Sequence, residues 1–229
     1  LTIDAVEQDG TGAIVSPGSS TMNKLTVDDV DVTNANNGID IKNFNPSQDV
    51  VVTDVDVTGV SSNYGLRVGG SGINVDSGNG NVEIRAEDQQ TLNFSESSTS
   101  GIVLGDSFTA DTVSVSDIEA NDTDQAIDIG GGSDFGSVTA EVNNVDITNS
   151  SNNGIRATST SSAFVNVTNS LFAGNQDAIA LNFDGNPSAK ITENNFGDND
   201  LSAVDLRNSP AVSQLNLSNN WWNNETGPT

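Results

Sequence analysis

NNGIDI, residues 36–41, places a small residue before an aliphatic one, then a variable residue and a second apolar one. Close copies follow as YGLRV (64–68), SGIVL (100–104), QAIDI (125–129), NGIRA (153–157), DAIAL (177–181) and SAVDL (202–206). The small residues of the seven copies are Gly38, Gly65, Gly101, Ala126, Gly154, Ala178 and Ala203, at steps of 27, 36, 25, 28, 24 and 25. A second motif keeps the same beat, an aliphatic residue, a spacer and then Asp or Asn: Val27/Asp29, Val52/Asp54, Val115/Asp117, Val142/Asn144, Val167/Asn169 and Leu217/Asn219, with Thr192/Asn194 fitted to the same frame. Ile84 holds the corresponding place in an irregular coil, and LTIDAV at Leu1 matches LTVDDV at Leu25.

Each repeat thus holds short apolar stretches of period two, such as Val113/Val115 and Ile127/Ile129, separated by Asn, Asp, Gly and Ser turns. No repeat leaves room for a helix. Strands this short cannot bury themselves, but coils stacked about 4.8 Å apart enclose one continuous apolar column and pair each strand with its neighbours above and below. The expected fold is therefore all-β, a parallel β-helix over residues 1–229 as one domain. Its nine coils begin near residues 3, 27, 52, 84, 115, 142, 167, 192 and 217. A leucine-rich repeat would need a leucine frame and a helical return, and the hexapeptide and nonapeptide solenoids have shorter internal periods.

The charge narrows the partners. There are 32 Asp and Glu against 7 Lys and Arg, a net charge of −25, which argues against nucleic acid or any other polyanion. Self-repulsion of that size is relieved at molar salt, where the Debye length falls to about 3 Å, so the composition reads as that of a halophile's protein. Cys and His are both absent, which disfavours a Zn, Cu or Fe site. No run of 18 apolar residues spans a membrane. No cofactor is expected; Ca2+ is compatible with the acidic residues but no motif specifies it. Six Asn-x-Ser/Thr sequons, at Asn93, Asn121, Asn149, Asn166, Asn216 and Asn224, permit surface glycosylation.

The Asn-rich G-I-x-[IVL] coils resemble the right-handed pectin-lyase-like superfamily over nearly the whole chain, which implies a right-handed single-stranded parallel β-helix. The ending NLSNNWWNNETGPT resembles the Asn-Trp-Trp…Gly-Pro endings that follow β-helix repeats in extracellular proteins of salt-loving archaea and some bacteria, and residues 215–229 are expected to cap the solenoid. Because the chain enters at mid-repeat, it is expected to be part of a longer chain whose other parts cover the first coil. The resemblance implies an extracellular, cell-surface or virion-surface location.

Since the apolar neighbours point inward, the variable residue of the motif points outward. Read along the stack, that row is Asp40, Arg67, Val103, Asp128, Arg156, Ala180 and Asp205, and Arg207 lies just beyond Leu206. An exposed Asp/Arg ladder is ordinarily a solvated face. It also suits an extended saccharide, with Arg holding carboxylate or sulfate groups, so the candidate ligand-binding residues are Asp40, Arg67, Asp128, Arg156 and Asp205. The superfamily includes polygalacturonases, pectate lyases and phage tailspike glycanases, and TDQAIDI and NQDAIAL resemble fragments of the polygalacturonase aspartate motifs. The candidate catalytic residues on that resemblance are Asp128, Asp177, Asp205 and Arg156. The departures are large: the family's Gly-His-Gly element cannot exist without His, and Asp128 and Asp205 stand three coils apart, about 14 Å. Two functions follow, a non-enzymatic structural or adhesive module that holds a polysaccharide, and a polysaccharide hydrolase or lyase.

Overall fold

The computed structural model describes residues 14–15, 24–33, 38–41, 49–61, 64–68, 81–86, 91–96, 100–104, 112–130, 138–159, 163–183, 188–207 and 214–223. Every regular element among them is a β-strand, and every strand pairing is parallel. One coil shows the plan. The strand Thr112–Asn121 bends at Asp117 to form two legs, and after a second corner Gln125–Ile129 forms the third. The third legs stack into an eight-stranded sheet, and the first two contribute to an eleven-stranded sheet whose main path also runs through eight strands. The chain is a parallel β-helix with eight stacked rungs among the described residues rather than nine coils. The coil expected near residue 3 lies outside them.

The register follows the sequence frame. Val27 pairs with Val52, Val52 with Ile84 and Ile84 with Val115, so the irregular coil keeps its rung despite its extra length. These aliphatic residues have no exposed surface, and each such burial contributes about 1.5–3 kcal/mol relative to exposure. Along the second leg the inward column is Val57, Phe94, Ala120, Ile147, Phe172 and Phe196. The Phe172 and Phe196 rings stack at 5.4 Å, and Trp222 continues the stack at 4.9 Å from Phe196. Trp221 instead bridges Asn195 and is exposed. Among the described residues the exposed large hydrophobics are Leu201, Leu206, Leu215 and Trp221, and they lie on or beside Ser202–Arg207 and Gln214–Asn216, the strands that end the two sheets.

Two corners in the coil use left-handed backbone. The first lies at Asp29 (φ 55°), Asp54 (49°), Asp117 (60°), Asn144 (54°), Asn169 (53°), Glu193 (65°) and Asn219 (61°). The second lies at Gly59, Glu96, Asp122, Asn149 and Gly174. Asp and Asn tolerate this region because their short side chains bond locally, which explains the recurrent residue type. One position corrects the frame. Ile191 pairs with Val167 and Thr192 with Thr168, so Glu193, not Asn194, takes the corner.

Asn194 has a different task one residue on. Its Oδ1 accepts from the Ser170 amide at 3.0 Å, its Nδ2 donates to the Val167 and Thr192 carbonyls, and its own amide donates to Asn220 Oδ1 at 2.9 Å. A second buried ladder runs past the other corner, where the Ser150 amide donates to Asn175 Oδ1 and the Asn175 amide to Asn199 Oδ1. These ladders pair backbone groups that the bends remove from the sheets.

Candidate functional site

The third-leg sheet carries every candidate residue, with Arg207 at the end of its last strand. Small residues explain how that leg bends. A Cβ built on Gly154 would lie 2.6 Å from the Ala178 carbonyl oxygen and 3.2 Å from Ile147 and Phe172 side-chain atoms; on Gly65 it would meet the Gly101 oxygen at 2.7 Å and Phe94 at 3.2 Å. The small residue therefore faces the core, as does the aliphatic residue after it, and the residues flanking this pair face outward. Each rung thus offers two outward positions, one before the small residue and one after the aliphatic.

The second of these positions is the variable row, and it is continuous. Asp40 pairs with Arg67, Arg67 with Val103, Val103 with Asp128, Asp128 with Arg156, Arg156 with Ala180 and Ala180 with Asp205. The side chains of Asp40 and Arg67 lie outside the described set. Asp128 and Asp205 are three rungs apart, as the spacing requires. The expectation of a solvated face needs correction in the middle of the row, where Asp128 is 6% exposed and Ala180 2%. Strand alternation fixes the side of the sheet on which a residue stands; its lateral neighbours decide how much water reaches it.

The flanking outward position forms a second row that the sequence reading passed over: Ser100, Gln125, Asn153, Asp177 and Ser202 pair in that order. All but Ser202 are buried. The signal was present as a polar residue directly before each small residue, hidden in an Asn- and Ser-rich chain.

The two rows meet through arginine. Arg156 Nε lies 3.2 Å from Asp128 Oδ1, an ion-pair contact without hydrogen-bond alignment. Arg207 Nε bonds Asp205 Oδ2 while its Nη2 bonds Asp177 Oδ2, and Ser202 Oγ donates to Asp177 Oδ1 at 2.5 Å. The hydrogen bond that Arg207 donates to Asp205, with the charges of Asp177 and Asp205, raises the Arg207 guanidinium above its ordinary pKa against the opposing effect of burial. Asp177 and Asp205 therefore sit on adjacent rungs under one shared cation. Four polar atoms of these rows are enclosed without an aligned hydrogen bond: Gln125 Oε1, Asn153 Oδ1, Asp128 Oδ1 and Arg156 Nε.

Hydrolysis with inversion requires two carboxyls about 6.5–9.5 Å apart, one poised to give up a proton. Each described candidate carboxylate is instead in contact with an arginine. Among the described residues no group of three or more acidic side chains converges to hold a metal ion. Asp29 and Asp54 of the aliphatic–spacer–Asp motif are corner residues whose left-handed backbone accounts for their type. No described helix is long and apolar enough to cross a membrane.

No protein-family model matches the chain, and neither a curated protein nor a solved structure matches it.

Proposed function

We propose that the chain is a structural or adhesive β-helix module, displayed outside the cell or on a virion by a salt-adapted organism or its virus, that holds a polysaccharide along the outer face of its third-leg sheet. The observation that carries this reading is the pair of parallel polar rows, in register over successive rungs, with amide oxygens enclosed in them without a donor. An extended saccharide meets a strand repeat of about 4.8 Å with a regular series of polar contacts, which a compact ligand does not. The excess of 32 acidic over 7 basic residues supports the salt-adapted setting. The resemblance of the G-I-x-[IVL] coils to the pectin-lyase-like superfamily supports the saccharide, and the Trp222 stack supports a capping role for residues 215–229.

The test is a glycan array probed with the protein in molar potassium chloride, beside unfolding midpoints measured from low to molar salt. Saturable binding to at least one polysaccharide and a midpoint that rises with salt are expected. An array without binding removes the saccharide reading, and a midpoint that falls with salt removes the halophile.

A second reading, a polysaccharide hydrolase or lyase, draws on one observation, the adjacent-rung pair Asp177 and Asp205 joined by Arg207. Release of reducing ends or unsaturated products, abolished by Asp205→Asn, would establish it over the non-enzymatic module.

A further inference from the structure

The hydrogen-bonding balance of the two rows specifies what a ligand must bring. Gln125 is 9% exposed and Asn153 1%, on adjacent rungs, and Gln125 Oε1 and Asn153 Oδ1 are enclosed without a donor. Several donors around them are engaged. Asn153 Nδ2 donates to Asn152 Oδ1 at 2.9 Å, Ser202 Oγ to Asp177, Arg207 to Asp177 and Asp205, and Arg156 lies against Asp128. The two amide oxygens thus want a donor, while Arg156 Nε, the enclosed donor without an aligned bond, lies in ion-pair contact with Asp128; an enclosed amide oxygen without a donor is an unfavourable state that a ligand's O–H or N–H relieves.

The charge acts in the same direction. Asp128, Asp177 and Asp205 line the face, and their arginine contacts would have to be broken before a carboxylate or sulfate found a cation. An incoming anion would also meet a chain of net charge −25.

Resting on the saccharide reading above, we propose that the sugar taken by this face is a donor-rich one, neutral or amino-bearing, whose hydroxyl or amino groups are received by Gln125 Oε1 and Asn153 Oδ1, and that uronate and sulfated chains are rejected. This reassigns the arginines. Arg156 and Arg207 order the acidic residues of the face instead of holding the ligand's anions.

The experiment compares four probes on the full chain by calorimetry in molar potassium chloride: a neutral glucan oligosaccharide, a glucosamine oligomer, an oligogalacturonate and a sulfated glycan. Binding to the first or second, with the last two at least about tenfold weaker, is expected. Gln125→Met removes the acceptor at similar volume and leaves no group orphaned, so affinity for the preferred probe falls about tenfold while the unfolding midpoint of the free protein holds or rises. Monodeoxy analogues of the preferred probe against the wild-type chain supply the same information without a variant, through a comparable loss at one hydroxyl. Preference for the oligogalacturonate or sulfated probe, or affinity unchanged in Gln125→Met and for every deoxy analogue, overturns the proposal and leaves the saccharide reading standing. Absence of binding to any of the four, together with an empty array, overturns both.

Discussion

Replacing Asn194 with Ala tests whether the buried asparagine ladders hold the corners together. Asn194 is 3% exposed and Ser170 4%, so the Ser170 amide, whose acceptor is Asn194 Oδ1 at 3.0 Å, would be left in an enclosed place without one. That orphaned donor costs about 1–3 kcal/mol. The Val167 and Thr192 carbonyls lose the Nδ2 donor at 2.9 and 3.1 Å, and the combined loss comes to about 2–4 kcal/mol. Each 1.4 kcal/mol is a factor of ten, so the Ser170 amide is expected to exchange its hydrogen roughly 30- to 700-fold faster. Exchange is the better assay because a stack of repeats can open rung by rung, which a single denaturation midpoint does not resolve. The control is Asn195→Ala, the exposed neighbour, expected to stay within about 0.5 kcal/mol. Asn194→Asp keeps the acceptor but sets a buried carboxylate against two carbonyl oxygens, so its stability should recover as pH falls and the group takes a proton. If Asn194→Ala protects the Ser170 amide as well as Asn195→Ala does, the ladder is a bystander and the reasoning fails.

Further substitutions separate the other forces. Gly38→Ala would place a Cβ 1.8 Å from the Gly65 carbonyl oxygen, so a loss above about 2 kcal/mol is expected in chemical denaturation, whereas Ala178→Gly in the same column should cost about 0.5–1 kcal/mol. Trp222→Ala removes the last ring of the aromatic stack; with Trp222 only partly buried, a cost of about 2 kcal/mol is expected, against about 0.5 or less for the exposed Trp221→Ala. Partial desolvation raises the Asp146 carboxyl above its ordinary value. The folded chain then binds more protons than the unfolded one between the two values, so this group makes stability fall as pH rises through that window. Asp146→Asn should flatten that segment of the thermal midpoint against pH and match or exceed the parent at neutral pH. A steeper acid dependence in the variant would contradict the assignment.

The fold was legible because inward residues and corner residues are each restricted to a few types. Ile39, Leu66, Ile102 and Ile127 had to be aliphatic, and Asp29, Asp54, Asp117 and Asn144 had to tolerate left-handed backbone, so both left a period in the sequence. The slip at Thr192 arose because Thr fits an apolar place nearly as well as a spacer, and only the pairing of Ile191 with Val167 resolves it. The buried ladder of Asn175 and Asn199 was hidden because Asn is common throughout this chain and its burial depends on contacts with other rungs. The variable row keeps the register that the repeat spacing predicts. The enclosure of Asp128 and the second row at Gln125 and Asn153 depend on packing between rungs, which alternation within one strand does not encode.

The corners also determine where the molecule is free to change. At the first corner a single residue carries the bend in most coils, so adding or removing one there would shift the inward side chains of the following leg to the wrong face; the coil of Ile84 is the exception, with a longer span from Ile84 to Leu92 and the register kept on both legs. The interval from the third leg to the next coil obeys no such rule: it spans 69–80 in one coil and only 160–162 in another, while the register on both sides is kept. Apart from the first corner of the Ile84 coil, length variation is thus largest along one seam of the stack, beside the sheet that bears the two polar rows. New sequence can enter at that seam without disturbing the stack, and whatever enters there borders the face on which a ligand would lie.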